Sequence, residues 1–275
     1  MNRSKALALL SECERKEGDR LHDALLRGRH YNEQDLGMLR SAEAAYLPAV
    51  NPKARIKWGT EFIEAIDDSL DLNAESDRRT LFHVTIADRE HILHDAAGHA
   101  LLKAIKRKLS GVLAGLSYVG MIEPGYYNAI YDDAGEVIRD VVSWHAHVVV
   151  WGKSRQQLRR LFETRSPKLA PVAPHMDAIR IKKVPRKRQG RVLCYVVKSP
   201  RREYSVGKRL HPKPGKSPYK HNGRPLRQGH RVKLFHMLAD IRLDELAMAG
   251  GDGSELMQTI KYKALAEYRR KSRLR

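Results

Sequence analysis

Residues 115–151 read GLSYVGMIEPGYYNAIYDDAGEVIRDVVSWHAHVVVW, and this stretch decides the fold. Gly115 to Tyr131 and Glu136 to Trp151 are rich in β-branched and aromatic residues, and Asp132-Asp133-Ala134-Gly135 between them is a hairpin signal. Upstream, Thr80-Leu81-Phe82-His83-Val84-Thr85-Ile86 has the same strand character, and His91 to Leu109 follows a loose helical period. Downstream, Ser154 caps a basic helix through Glu163. After a proline-rich link, Asp177 to Val184 alternates as a fourth strand with Ile179 and Ile181 facing inward. The order strand, helix, hairpin, helix, strand predicts an α+β fold: an antiparallel sheet with flanking helices, not a parallel doubly wound one.

Outside this core, residues 1–30, 33–47 and Thr60 to Leu70 read as helices, so 1–75 forms an N-terminal helical segment ahead of a central domain over 76–200. Residues 201–275 complete the chain: 199–229 reads as a basic, mobile arm, and His230–Met248 and Ser254–Arg270 as helices. With 42% hydrophobic residues, 19 Gly and 12 Pro in 275, the chain is neither collagen-like nor low-complexity. No apolar run approaches a membrane span, and the first ten residues are too short a stretch for a signal peptide, which predicts a cytoplasmic protein without a membrane partner. Cys13 and Cys194 have no metal-site spacing. Nothing in the sequence sets an oligomeric state.

Charge is distributed unevenly. Residues 1–150 carry 19 Lys/Arg and 23 Asp/Glu, whereas 151–275 carry 33 and 9. Between Arg180 and Lys233 there are 19 basic residues and a single acid, Glu203. Such a block needs a polyanion, and prolines at 185, 200, 212, 214, 218 and 225 prevent the long amphipathic helix that a membrane surface would favour. Nucleic acid is the expected partner, with Arg186, Lys187, Arg188, Arg191, Arg201 and Arg202 as candidate contacts.

Within Trp144-His145-Ala146-His147-Val148, a strand would project both imidazoles from one face, where they could grip one divalent cation. Glu123 is the candidate third ligand. A three-residue turn over 133–135 sets it opposite His145, and a loop centred on Gly135 sets it opposite His147. A two-residue turn at Ala134–Gly135, or a bulge at Pro124-Gly125, would send it to the other face. Further on, Tyr195-Val196-Val197-Lys198 places a phenol and an ammonium on one face if helical, although its valines favour a strand. A neighbouring cation favours the phenolate, the nucleophilic form of tyrosine. Tyr204, nine residues beyond Tyr195, falls off that helical face; Tyr118, Tyr126, Tyr127 and Tyr131 read as strand packing, with a base-stacking role open to one of them. His91, His94, Asp95 and His99 read as a polar helix face, and Ser217 lacks the earlier glycine of a phosphate-binding loop.

Together, residues 80–200 resemble the HUH endonuclease superfamily, most closely the rolling-circle replication initiators of plasmids and phages. Leu81 to Ile86 is similar to the first-motif strand, with His83 unusual there. Trp144 to Val150 is similar to the metal-binding strand, and Tyr195 to Lys198 to the nucleophile motif, which on this basis is read as a helix. The resemblance implies Mg²⁺ or Mn²⁺ on His145, His147 and Glu123, attack by Tyr195 on a phosphate of single-stranded DNA to leave a 5′-phosphotyrosine, and a supporting role for Lys198. It implies origin duplex as a further partner, with a host helicase a candidate because none is encoded here. A single-tyrosine transposase or relaxase, and a non-catalytic basic nucleic-acid-binding protein, are the alternatives.

Overall fold

The computed structural model describes residues 3–28, 32–70, 80–94, 99–131, 134–173, 176–208 and 219–272. Their fold is α+β, a mostly antiparallel sheet flanked by helices. The long hairpin at its centre is β2 (Ser117–Tyr131) and β3 (Val137–Trp151), closed by a turn in which Gly135 has φ +84°, the left-handed conformation that favours glycine. β1 (Phe82–Leu93) pairs with the far side of β3, and β4 (Ile179–Lys183) pairs with β1. On the other side β2 carries two strands along separate stretches of one edge. β7 (Ala247–Gly250) runs antiparallel to residues 118–121, and β5 (Arg202–Lys208) runs parallel to residues 126–129, with β6 (Tyr219–Pro225) beyond it. Glu123 and Pro124 fall in the gap between these two pairings, and Pro124 has no N–H to give a ladder there.

Alternation gives the sheet two unlike faces. Phe82, Val84 and Ile86 of β1 lie opposite Val150, Val148 and Ala146 of β3, and Ile122 of β2 joins them; all are buried in the core. The intervening residues are polar: His83 and Thr85 on β1, His145 and His147 on β3, Glu123 on β2. One core continues from α1 (Arg3–Gly28) through α3 (Pro52–Leu70), α6 (Gln189–Val197), α7 (Gln228–Leu238) and α9 (Gly253–Ala264), which pack on one another, and α6 also rests on β2 and β3. No described helix is long and apolar enough to cross a membrane.

Several elements differ from the sequence reading. The third helix starts at Pro52, not Thr60, because the buried Asn51 caps it: its Oδ1 accepts from the Ala54 amide at 2.9 Å while its Nδ2 donates to the Met38 and Arg40 carbonyls. The second helix is only α2 (Glu33–Met38), followed by a 3-10 turn over Ser41–Tyr46. β1 runs on to Leu93 past an irregularity after Ala87, where buried Asp88 accepts from the Ala170 amide and pairs with Lys108. His91 is therefore a strand residue, His94 lies in a bend, and the helix α4 (His99–Val112) begins only at His99; the helical grouping of these histidines does not exist, and Asp95 lies outside the described residues. The segment 199–229 is not an irregular arm where it is described: β5 and β6 form a hairpin on the sheet, because β2 offers an edge to pair. Residues 209–218, Ser217 included, lie outside the described part. The helix expected over 230–248 stops at Leu238; α8 (Leu243–Leu246) and β7 follow, the pairing of β7 with β2 overriding helix propensity. The last helix divides at Leu265 into α9 and α10 (Ala266–Ser272), and α5 (Arg155–Arg165) has the Ser154 cap expected of it.

Candidate active site

The hairpin register is the first of those set out above: Glu123 lies directly opposite His145. Its Oε1 is 3.0 Å from His147 Nε2 and 3.4 Å from His145 Nε2, and the two Nε2 atoms are 3.1 Å apart. Gly125 makes room for this: a Cβ there would stand 2.8 Å from Cε1 of the His145 ring.

The other ring nitrogens orient the two rings. His145 Nδ1 lies 3.1 Å from the Ser143 carbonyl, which can only accept, so Nδ1 carries the proton and Nε2 turns its lone pair to the site. His147 Nδ1 faces Thr85 Oγ1 at 3.1 Å and His83 Nε2 at 3.2 Å, supports that hold the ring with Nε2 toward Glu123. Burial pushes His147 down to about 4, against the opposing pull of Glu123, and burial together with His147 pushes His83 down to about 3, so both are neutral at pH 7. Two imidazole Nε2 atoms and a carboxylate oxygen thus converge on one point. Their separations match the edge of an octahedron with ligands at about 2.1 Å, roughly 3.0 Å, so the residues fit a divalent cation.

Lys198 completes the centre. Its ammonium lies 3.1 Å from each Glu123 oxygen and 4.2 Å over the Tyr195 ring. Burial pushes the Glu123 carboxyl up, but Lys198, His147 and His145 outweigh it and hold the group well below its ordinary value. The segment 189–197 is a helix, as the motif reading requires. Lys198 is its extended C-cap before Pro200, and still reaches the tyrosine. Tyr195 is 37% exposed; its ring centroid is 4.9 Å from that of His147 and 5.5 Å from that of His83. Burial, then Glu123, pushes its phenol well above the ordinary range, so the hydroxyl is protonated at neutral pH and needs a nearby cation to become a nucleophile.

The helix bearing Tyr195 is fixed from behind by the N-terminal segment. Buried Arg55 donates to the Val197 carbonyl, and Glu14 accepts from the Ser199 amide and from Arg201. Arg201, a candidate DNA contact by sequence, is thereby turned inward. Arg186, Lys187 and Arg188 form an exposed turn leading into α6; Arg191 on α6 and Arg202 on β5 are also exposed.

Sequence reasoning missed three contributors. Thr85 and His83 support His147 only because β1 pairs with β3, a register the sequence alone does not reveal. Tyr204 is off the Tyr195 helix as expected, yet β5 folds back along β2 and brings its phenol into the electrostatic environment of Tyr195 and Glu123. Comparisons with protein-family models, curated proteins and solved structures return no match to this chain.

Proposed function

We propose that this chain nicks and rejoins single-stranded DNA through Tyr195, in the manner of the HUH endonucleases that initiate rolling-circle replication. The observation that carries this reading is the convergence of Glu123, His145 and His147 on one point directly under Tyr195 and Lys198. A divalent cation held by these three side chains, Mg²⁺ or Mn²⁺, would supply Lewis-acid polarisation of the scissile phosphodiester.

The rest of the reaction belongs to the chain's own groups. Tyr195 Oη attacks phosphorus, the bond to the 3′ oxygen breaks, and the phenol proton leaves while the 3′ oxygen gains one. A 5′-phosphotyrosine and a free 3′-hydroxyl result, with the ester bond conserved for rejoining. Lys198 steadies the phosphate charge beside Tyr195, and Thr85 and His83 hold the His147 ring with Nε2 toward Glu123. The exposed turn over 186–188, with Arg191 and Arg202, supplies sequence-independent phosphate contacts.

Incubation with a labelled single-stranded oligonucleotide in Mn²⁺ or in EDTA tests the reading. Shortened strand in Mn²⁺ alone is expected. Retarded but intact strand in both lanes would assign the chain to non-catalytic nucleic-acid binding.

A further inference from the structure

Beyond the metal centre, the same side of the sheet continues into a cluster of rings that the nicking chemistry does not use. Tyr127 on β2 lies directly opposite Tyr204 on β5, and Tyr204 directly opposite Gly223 on β6. Tyr127 and Tyr204 have centroids 5.5 Å apart, and His221 stacks on Tyr204 at 5.0 Å with the ring planes only 13° apart. Gly223 leaves the strand bare beneath them: a Cβ there would stand 3.1 Å from the Tyr204 ring and 3.6 Å from Arg202 Nη1. Tyr127 is buried and backs the cluster, Tyr204 is half-buried, and His221 and Arg202 are exposed. The cluster is continuous with the active site, since Tyr127 follows Glu123 along β2 by four strand residues, about 13 Å, and Tyr204 pairs with Tyr127.

We propose that Tyr204, His221 and Arg202 form a shelf on which bases of single-stranded DNA next to the cleaved phosphate stack. The identity of this ligand rests on the DNA-nicking reading above. Charge selects it. Glu203, the one acid of the basic block, alternates away from Tyr204 and is bound by Arg224, Arg227 and His230, so it presents no carboxylate to a phosphate on the shelf. Aromatic rings interleaved with an exposed guanidinium suit a strand whose bases are unpaired: every base offers a π-face to the rings, while Arg202 meets the backbone. A duplex, its bases already stacked, could use only the charge.

Fluorescence anisotropy in EDTA, at fixed salt, with oligo(dT) and an abasic oligonucleotide of equal length tests the shelf without any cleavage. The wild-type chain is expected to prefer the base-bearing strand. His221→Ala and Tyr204→Leu are each expected to reduce that preference about tenfold while leaving abasic affinity nearly unchanged, and Tyr204→Phe, which keeps the ring, to retain it. His221 is exposed, so its variant keeps the test valid if Tyr204→Leu fails to fold. Undiminished preference in His221→Ala, or a wild-type chain that binds both strands equally, overturns the shelf, and it does so even if Mn²⁺-dependent nicking is observed. Base-dependent binding that the variants lose, in a chain that never nicks, keeps the shelf and removes the nicking reading alone.

Discussion

Replacing Lys198 by methionine removes one charge from the centre and keeps most of the aliphatic stem. The ammonium it deletes lies 3.1 Å from both oxygens of Glu123, and the two side chains are only 16% and 11% exposed. Breaking a buried ion pair by removing one partner costs about 3–5 kcal/mol. Without a metal His147 Nε2, at 3.0 Å, can still donate to Glu123, whereas His145 presents a lone pair, so the cost in EDTA at neutral pH should fall at the lower end of that range, about 3 kcal/mol. Urea unfolding measures it. Mn²⁺ should restore most of this loss, since a ligand at a hundred times its Kd contributes about 2.7 kcal/mol. Mn²⁺ should also bind the variant more tightly than wild type, in which the ammonium competes for the same carboxylate. The pH dependence has a definite sign. The folded carboxyl of Glu123 is depressed below its ordinary value of 4.5, so its contribution is complete above that value and lost as pH falls through the folded one. The difference between wild type and Lys198→Met should therefore persist down to about pH 5 and shrink only in stronger acid. A variant as stable as wild type in EDTA, or equal Mn²⁺ affinity in the two proteins, would show that ammonium and metal do not occupy Glu123 in turn.

Other outcomes follow from the same geometry. His147→Ala should abolish Mn²⁺-dependent nicking while gel retardation of single-stranded DNA stays within a few fold, because affinity comes from phosphate contacts. Tyr204→Phe keeps the ring beside Tyr127, and single-turnover assays should show nicking nearly as fast as in wild type. Replacing Arg186, Lys187 and Arg188 together by alanine should make the plot of log affinity against log salt shallower by about 2 for single strands of any sequence, since each phosphate contact on a single strand contributes about 0.7.

The centre of the fold was legible because two signals agree there. The strand character of residues 115–151 and the turn at Asp132 to Gly135 predict the hairpin, and period-two alternation puts His145 and His147 together. Residue chemistry left Glu123 with three registers; only the turn geometry, with Gly135 in the left-handed conformation, selects the one that sets it against His145. Long-range pairing was out of reach. Ala247 and Met248 fall in the helix expected over His230–Met248 and become strand because β2 has an edge to satisfy, and β5 and β6 were hidden by the proline and charge content around them. Tyr204 shows how this affects the site. Its distance from Tyr195 in sequence is correct as a statement about one helix, and the parallel pairing of β5 with β2 makes it irrelevant. Glu14 and Glu17 of α1 are buried, pairing with Arg201 and Arg231 to hold α1 against α7 and the segment that follows α6, contacts that span too much sequence to be read from it.

If the proposed function holds, the Tyr195 oxygen becomes bonded to DNA. Incubating the chain with single-stranded DNA and Mn²⁺, digesting both polymers and sequencing the modified peptide by mass spectrometry tests it most directly. A nucleotide phosphate is expected on Tyr195, absent in EDTA and absent from the Tyr195→Phe protein, which should still bind DNA and keep its fold. An adduct on Tyr204 alone, or nicking that persists undiminished in Tyr195→Phe, would contradict the account.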